Sequence, residues 1–186
     1  MCDVAYTKRM ESKTCNNLSK YSFREIALDE IPKVKKLYKI VFEDLCGKEY
    51  IRPFTQETYD TFYDIAYNVG AYDGKTLVGM GRLRTVERDE LDEFKTALEL
   101  TDKCVAECSS YLVLPKYRGQ GIMKKLQDIL LQRARELGFR FVLASVHPEN
   151  VASQKVLCTR LQCKKTIKIK SGKDRMLYLT CLKKDA

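Results

Sequence analysis

Two glycines, Gly119 and Gly121, stand in a basic loop that reads Lys116-Tyr117-Arg118-Gly119-Gln120-Gly121. The apolar run Leu112, Val113, Leu114 leads into it. Pro115 ends that run, because proline cannot donate to a sheet ladder. Beyond the loop, Ile122, Leu126, Ile129, Leu130 and Leu137 recur at helical spacing. A glycine loop that opens a helix leaves backbone N–H groups free to point at an anion. Lys116, Arg118, Lys124 and Lys125 surround it with positive charge. The expected chemistry is therefore phosphate binding. The loop is not a nucleotide P-loop, since it lacks the closing Gly-Lys-Ser/Thr. It is not a dinucleotide fingerprint either, because Lys124 stands where a third glycine belongs. A second segment of interest, His147-Pro148-Glu149-Asn150, precedes a helical pattern, and Asn150 is well placed to cap it. His147, the sole histidine, reads as a loop residue.

These residues need a scaffold, and 186 residues with 45% hydrophobic content supply one domain with a real core. No apolar run approaches the roughly 20 residues of a membrane span. The polar start MCDVAYTKRMESK lacks a signal-peptide core, which places the chain in the cytoplasm by default. The eight cysteines are scattered, and their spacings are looser than the CxxC pairs of a structural zinc site. They read as free, mostly buried thiols, with no metal site. The net charge of +9 is uneven: residues 115–186 carry 17 basic and 5 acidic residues, and residues 1–114 carry 17 and 20. A basic second half suits a polyphosphate ligand, or a lysine-rich solvated surface.

In chain order, residues 1–19 are a polar arm and residues 20–186 a single domain. A first strand spans residues 21–27. Asp29 is placed to cap a helix carrying Ile31, Val34, Leu37, Val41, Phe42 and Leu45. Thr55 starts a second helix with Tyr59, Phe62, Tyr63 and Ala66 on one face. A hairpin turns at Asp73-Gly74 and runs to Val86. Residues 87–102 are charged, with a short helical pattern at Leu91, Phe94 and Leu98. Residues 87–107 hold eight acidic and three basic residues, which suggest a solvated excursion or an acidic rim for a cationic substrate. Strands follow at 105–114 and 139–146, with a helix between them that Gly138 ends. A further helix covers roughly 151–160, and two lysine-rich strands lie near 164–170 and 175–182. This order predicts an α/β fold with helices on both faces of a mixed sheet.

The order and the motifs together resemble the GNAT superfamily of acetyl-CoA-dependent N-acetyltransferases. The family's loop, Q/R-x-x-G-x-G/A after V-x-P, matches Val113-Leu114-Pro115 and Arg118-Gly119-Gln120-Gly121, with Lys116 in place of Q/R. Asn150-Val151-Ala152-Ser153 and onward resembles its N-x-x-A/S-x-x-L/V segment. The resemblance implies a mixed, mostly antiparallel sheet of about seven strands flanked by helices. It implies that Arg118, Gly119, Gln120, Gly121, Ile122 and Met123 hold the pyrophosphate of acetyl-CoA. Asn150 and Ser153 would contact the pantetheine side, and a backbone N–H of Leu112, Val113 or Leu114 would meet the developing oxyanion. Glu107, six residues before Val113, takes the position of the glutamate base in the histone-acetyltransferase branch. Two departures stand out. Leu157 occupies the position of the tyrosine general acid of many relatives, and Arg160-Leu161-Gln162-Cys163 lacks the usual Gly-Phe pair. Ser109, Tyr111 and Tyr178 are other hydroxyls in reach by sequence.

The implied function is acetyl transfer from acetyl-CoA to a primary amine of a small molecule or peptide, by direct attack in a ternary complex. The alternative is a non-catalytic acyl-CoA-binding module on the same fold. The implied partners are acetyl-CoA and an amine acceptor. Nucleic acid is not among them, because no groove-reading helix or aromatic-basic platform is evident. Nor is a membrane, and a homodimer stays open.

Overall fold

A computed structural model describes residues 18–45, 47–85 and 89–182. Most of the expected arm, with Cys2 and Cys15, therefore lies outside the described residues, as does Cys46. Leu18 already packs on the core, and the Tyr21 N–H donates to its carbonyl at 3.0 Å.

Seven strands form one sheet: β1 (Ser22–Glu25), β2 (Ala66–Asp73), β3 (Thr76–Arg84), β4 (Val105–Val113), β5 (Phe141–Val146), β6 (Gln162–Lys168) and β7 (Asp174–Cys181). Their order across the sheet is β1-β2-β3-β4-β5-β7-β6. Every pairing is antiparallel except β4 with β5. The alternation of the strands sorts their side chains onto two faces. On one face, α1 (Ile31–Asp44) sets Val34, Leu37 and Val41 against Tyr72, Leu77, Met80 and Leu112. On the same face, α3 (Asp89–Ala97) buries Leu91 and Phe94 against Val105, Leu143 and Leu177. The other face is covered by α4 (Ile122–Glu136) and α5 (Val151–Leu157), whose Leu126, Leu130, Ala134 and Leu157 meet Val69, Val78, Ala106 and Val142.

Several expectations need correction. Asp29 does not cap α1; a short 3-10 turn at Leu28–Glu30 comes first, and Glu30 takes the cap position without a side-chain cap bond. The second helix, α2 (Gln56–Asp60), is one turn long, and Ala66 opens β2 instead of continuing it. Thr55 does cap α2, accepting from the Thr58 N–H at 3.3 Å. The described part of the acidic segment is not a wholly solvated excursion: Leu91 and Phe94 of α3 are buried in the core. The five described cysteines are free, as expected, yet only Cys108 among them is buried. The other four sit on an edge strand, on strand ends or beside helix ends, where chain geometry exposes them.

Two irregularities give β4 an open edge. Met80 pairs with Leu112 while Arg82 pairs with Ser109, so Ser110 and Tyr111 together face Gly81 in a bulge. Ser110 takes a left-handed conformation there, φ 53°. Such a bulge bends and twists its strand. On its other edge β4 pairs with β5 only from Val105 to Glu107, against Phe141 to Leu143. Beyond Glu107 the two parallel strands part.

Candidate active site

The parting of β4 and β5 opens a cleft of about 1280 Å³. Cys108 to Tyr111 and Val113 line it from β4, and Ala144 to Val146 from β5. The strand ladder orients what faces this gap. Leu114 donates its N–H to Val78 O at 2.9 Å, toward β3. Antiparallel alternation turns the Leu112 N–H the same way and the Val113 N–H toward the open side. Of the three residues expected to offer an oxyanion donor, only Val113 faces the cleft. The Leu112 side chain is fully buried under α1, and Leu114 packs between the two large cores.

The glycine loop closes one end. Tyr117 and Arg118 donate their N–H groups to Leu114 O and Pro115 O, at 2.9 and 3.2 Å, and Lys125 donates to Gly121 O at 3.0 Å. Between them, the N–H groups of Gly119 to Lys124 make no backbone hydrogen bond among the described residues. Gly119 and Gly121 have φ of 72° and 83°, a region that any side chain resists. That pair of left-handed residues turns successive amides into a concave donor set at a helix N-terminus. Gly119, Gly121, Ile122 and Met123 line the cleft, with Lys124 beside them.

Two loop side chains are engaged elsewhere. The Arg118 guanidinium holds Asp44 at 2.6 Å and donates to Val113 O at 3.2 Å, tying the end of α1 to the loop. Gln120 accepts from the Tyr21 hydroxyl at 2.5 Å and donates to Lys116 O at 3.1 Å, and its side chain does not line the cleft. On the opposite wall Asn150 caps α5: its Oδ1 accepts from the Ser153 N–H at 3.1 Å. Both residues line the cleft, so the cap leaves the Asn150 side-chain amide available. The His147 ring sits 5.2 Å from that of Tyr50, and its Nδ1 accepts from the Glu149 N–H at 3.2 Å.

Glu107 lies at the fork itself. It is 2% exposed, lines the cleft, and stands across from Arg84 on β3 and Leu143 on β5. Next to it, burial pushes the Cys108 thiol up to about 12, so it stays protonated at neutral pH. Burial also raises the Tyr111 hydroxyl well above its ordinary range. Ser109 lines the cleft with an Oγ that has no hydrogen-bond partner. Tyr178 is different: it is 1% exposed, stands outside the cleft, and its hydroxyl receives the Cys158 thiol at 3.9 Å. Leu157 is buried in the core, so no hydroxyl replaces the family tyrosine at that position.

Sequence reasoning missed the opposite wall. Arg82 and Arg84 of β3 line the cleft, as do Tyr50 to Pro53 and Arg175, whereas Phe54, Thr55 and Thr58 lie in the stretch 54–67 that the resemblance offers for acceptor specificity. Arg82 carried a signal in TLVGMGRLR, as a cation within the apolar run from Leu77 to Leu83. Segment 50–53 carried none, because it has no period. The acidic segment contributes Glu90 to the cleft, where it forms an ion pair with Arg52.

Comparison with known proteins bears on the fold. No curated protein matches the chain in sequence. Solved structures match its fold across most of both chains. An N-acetyltransferase from Staphylococcus aureus Mu50 is 16% identical with a TM-score of 0.66, over 88% of this chain and 99% of that one. The ribosomal-protein-S18-alanine N-acetyltransferase from Escherichia coli is 11% identical with a TM-score of 0.66, over 89% and 96%. A Salmonella typhimurium structure described "with its cofactor Acetyl-CoA" is 14% identical with a TM-score of 0.66, over 90% and 96%. The model of the acetyltransferase (GNAT) family matches residues 35–160, which run from within α1 through the glycine loop to the turn after α5. With that match over most of its length, the chain belongs to the GNAT acetyltransferase family, and acetyl-CoA is its acetyl donor.

Proposed function

We propose that the protein transfers an acetyl group to a primary amine bound in the cleft where β4 and β5 part. The observation that carries this reading is the coincidence, at one fork, of an unpaired amide cradle, an exposed strand edge and a carboxylate. The fit to acetyl-CoA is supported by the row of partnerless N–H groups from Gly119 to Lys124 at a helix N-terminus. Those amides would hold the pyrophosphate, with Asn150 and Ser153 along the pantetheine side. Acetyl-CoA supplies a thioester, an acyl carbon already activated toward amines.

The chain's own residues then have three tasks. A free ammonium has a pKa of about 10.4, so the acceptor must lose a proton before it attacks. Glu107 takes that proton, directly or through water. The Val113 N–H, on the edge that β5 leaves open, donates to the carbonyl oxygen as negative charge grows on it. Arg118 acts as a positioning residue, since its bond to Val113 O and its ion pair with Asp44 hold this strand end against the loop. A dedicated acid is not required, because a thiol of pKa about 8.5 leaves tolerably as thiolate.

The test is thiol release from acetyl-CoA in the presence of an amine library, with mass detection of the acetylated product. Turnover with at least one amine, and its loss in Glu107→Gln while the variant still binds coenzyme A, is the expected result. Coenzyme A binding without transfer to any amine would sink the reading.

A further inference from the structure

Arg82 is the most anomalous residue in the cleft. It is 1% exposed, yet it lines the cavity. Its Nε donates to Asn68 Oδ1 at 2.8 Å and a terminal nitrogen donates to Phe62 O at 3.2 Å. The guanidinium carbon lies 4.6 Å from the Phe62 ring centre and 5.7 Å from that of Phe54. Every one of these partners is neutral. Among the described residues no carboxylate forms an ion pair with it. Burial and the neighbouring Arg84 lower its pKa to about 10 against the attraction of Glu107, so it remains a cation at neutral pH. A buried charge without a paired counter-ion costs several kcal/mol. A cation kept on the wall of a cleft offers a partner to an anion that enters it. The hydrogen bonds to Asn68 and Phe62 leave the rest of the five guanidinium N–H groups for it.

The surroundings say which anion. Ser109 stands directly across the ladder from Arg82, and its Oγ is a buried polar group without a hydrogen-bond partner among the described residues. Glu107 stands across from Arg84, one step along the same face. Diagonal neighbours of this kind are about 7–8 Å apart at Cα. An amine delivered to Glu107 and an anion received by Arg82 therefore belong to one small molecule with the two groups a few bonds apart. Glu90, which α3 contributes to the cleft, is ion-paired with Arg52 and so already has a cation beside it.

We infer that the acceptor is an amino carboxylate, an amino-acid-like molecule whose carboxylate is received by Arg82 and Ser109 while its amine faces Glu107. This inference rests on the amine-acceptor reading of the cleft and narrows it.

The experiment uses the full-length protein at saturating acetyl-CoA and matched acceptors: amino acids, their carboxamides, and the decarboxylated amines with the same side chains. The best amino acid should exceed both analogues in kcat/KM by at least about tenfold, the scale of one hydrogen-bonded charge. Arg82→Gln, with folding checked by thermal melting and coenzyme A binding, should bring that ratio close to one. Because Arg82 is buried and the variant risks misfolding, Ser109→Ala serves as the milder probe and should narrow the ratio severalfold. Carboxamides or decarboxylated amines that perform as well as the acids overturn the inference and leave the amine-acceptor reading standing. So does a folded Arg82→Gln, or a Ser109→Ala, with the ratio unchanged. Transfer to no amine at all overturns both.

Discussion

Glu107 sits at the last rung that β4 shares with β5, so its carboxylate is held by a paired backbone while its neighbours along the strand face open space. On the proposed reading, a group held that way keeps its position while the acceptor amine approaches it. Replacing it with glutamine preserves shape and removes basicity, and should lower kcat by about 10²–10⁴-fold with little change in coenzyme A affinity. Steady-state kinetics beside a coenzyme A titration checks this. Glu107 and Asn150 were legible in the sequence because each stands next to a recognisable pattern. Asn150 is both the helix cap and a cleft residue, so the cap and the proposed cofactor contact are compatible in one geometry. Leu112 and Leu114 were less legible: ladder alternation, which depends on the partner strand, selects Val113 of the three.

At the scale of elements, the glycine loop and the start of α1 carry separable predictions. Gly119 has no heavy atom within 4 Å of where a Cβ would stand, so alanine there meets no obstacle and pays only for its left-handed φ of 72°. Gly119→Ala should therefore cost about 1–2 kcal/mol, or relax the loop and weaken coenzyme A binding. Thermal melting and a binding isotherm on the same sample separate the two. At the other end of the sheet, Glu30 joins three elements. It accepts from Arg24 at 2.7 and 2.9 Å, from Lys33 at 2.7 Å, from the Ala27 N–H at 3.0 Å and from the Tyr72 hydroxyl at 2.8 Å. The Arg24 guanidinium foremost, then Lys33, hold its carboxyl well below the usual carboxylate range, against the opposing effect of burial. A depressed folded pKa stabilises above the unfolded value, about 4.3, and that contribution fades as pH falls from there toward the folded pKa. Glu30→Gln should cost about 1–3 kcal/mol at pH 7. Its deficit against the parent should shrink below pH of about 4, as urea unfolding at both pH values would show.

The whole molecule is a sheet pulled open at one seam. Residues from both halves of the chain meet there, with Arg82 and Glu107 from the first and the glycine loop and Asn150 from the second. A ligand that bridges the seam binds the folded state alone. Acetyl-CoA at about 100 times its Kd should therefore raise the unfolding free energy by about 2.7 kcal/mol. A melting curve with and without ligand reads this directly. A melting temperature that does not move would mean that the ligand bridges nothing.

The sequence by itself determined the parts whose signal is local. The β4-loop-α4 unit shows in a proline, two glycines and a helical repeat, and the α/β order shows in hydrophobic periods. Those features are written in neighbouring residues, so reading along the chain recovers them. Tertiary structure alone decided where β5 leaves β4, which ladder N–H turns outward, and that Phe94 belongs to the core. It also brought Arg82 beside Ser109 and Glu107. Each of these depends on what lies opposite. Cross-strand register and burial arise between segments distant in sequence, and no local pattern records them.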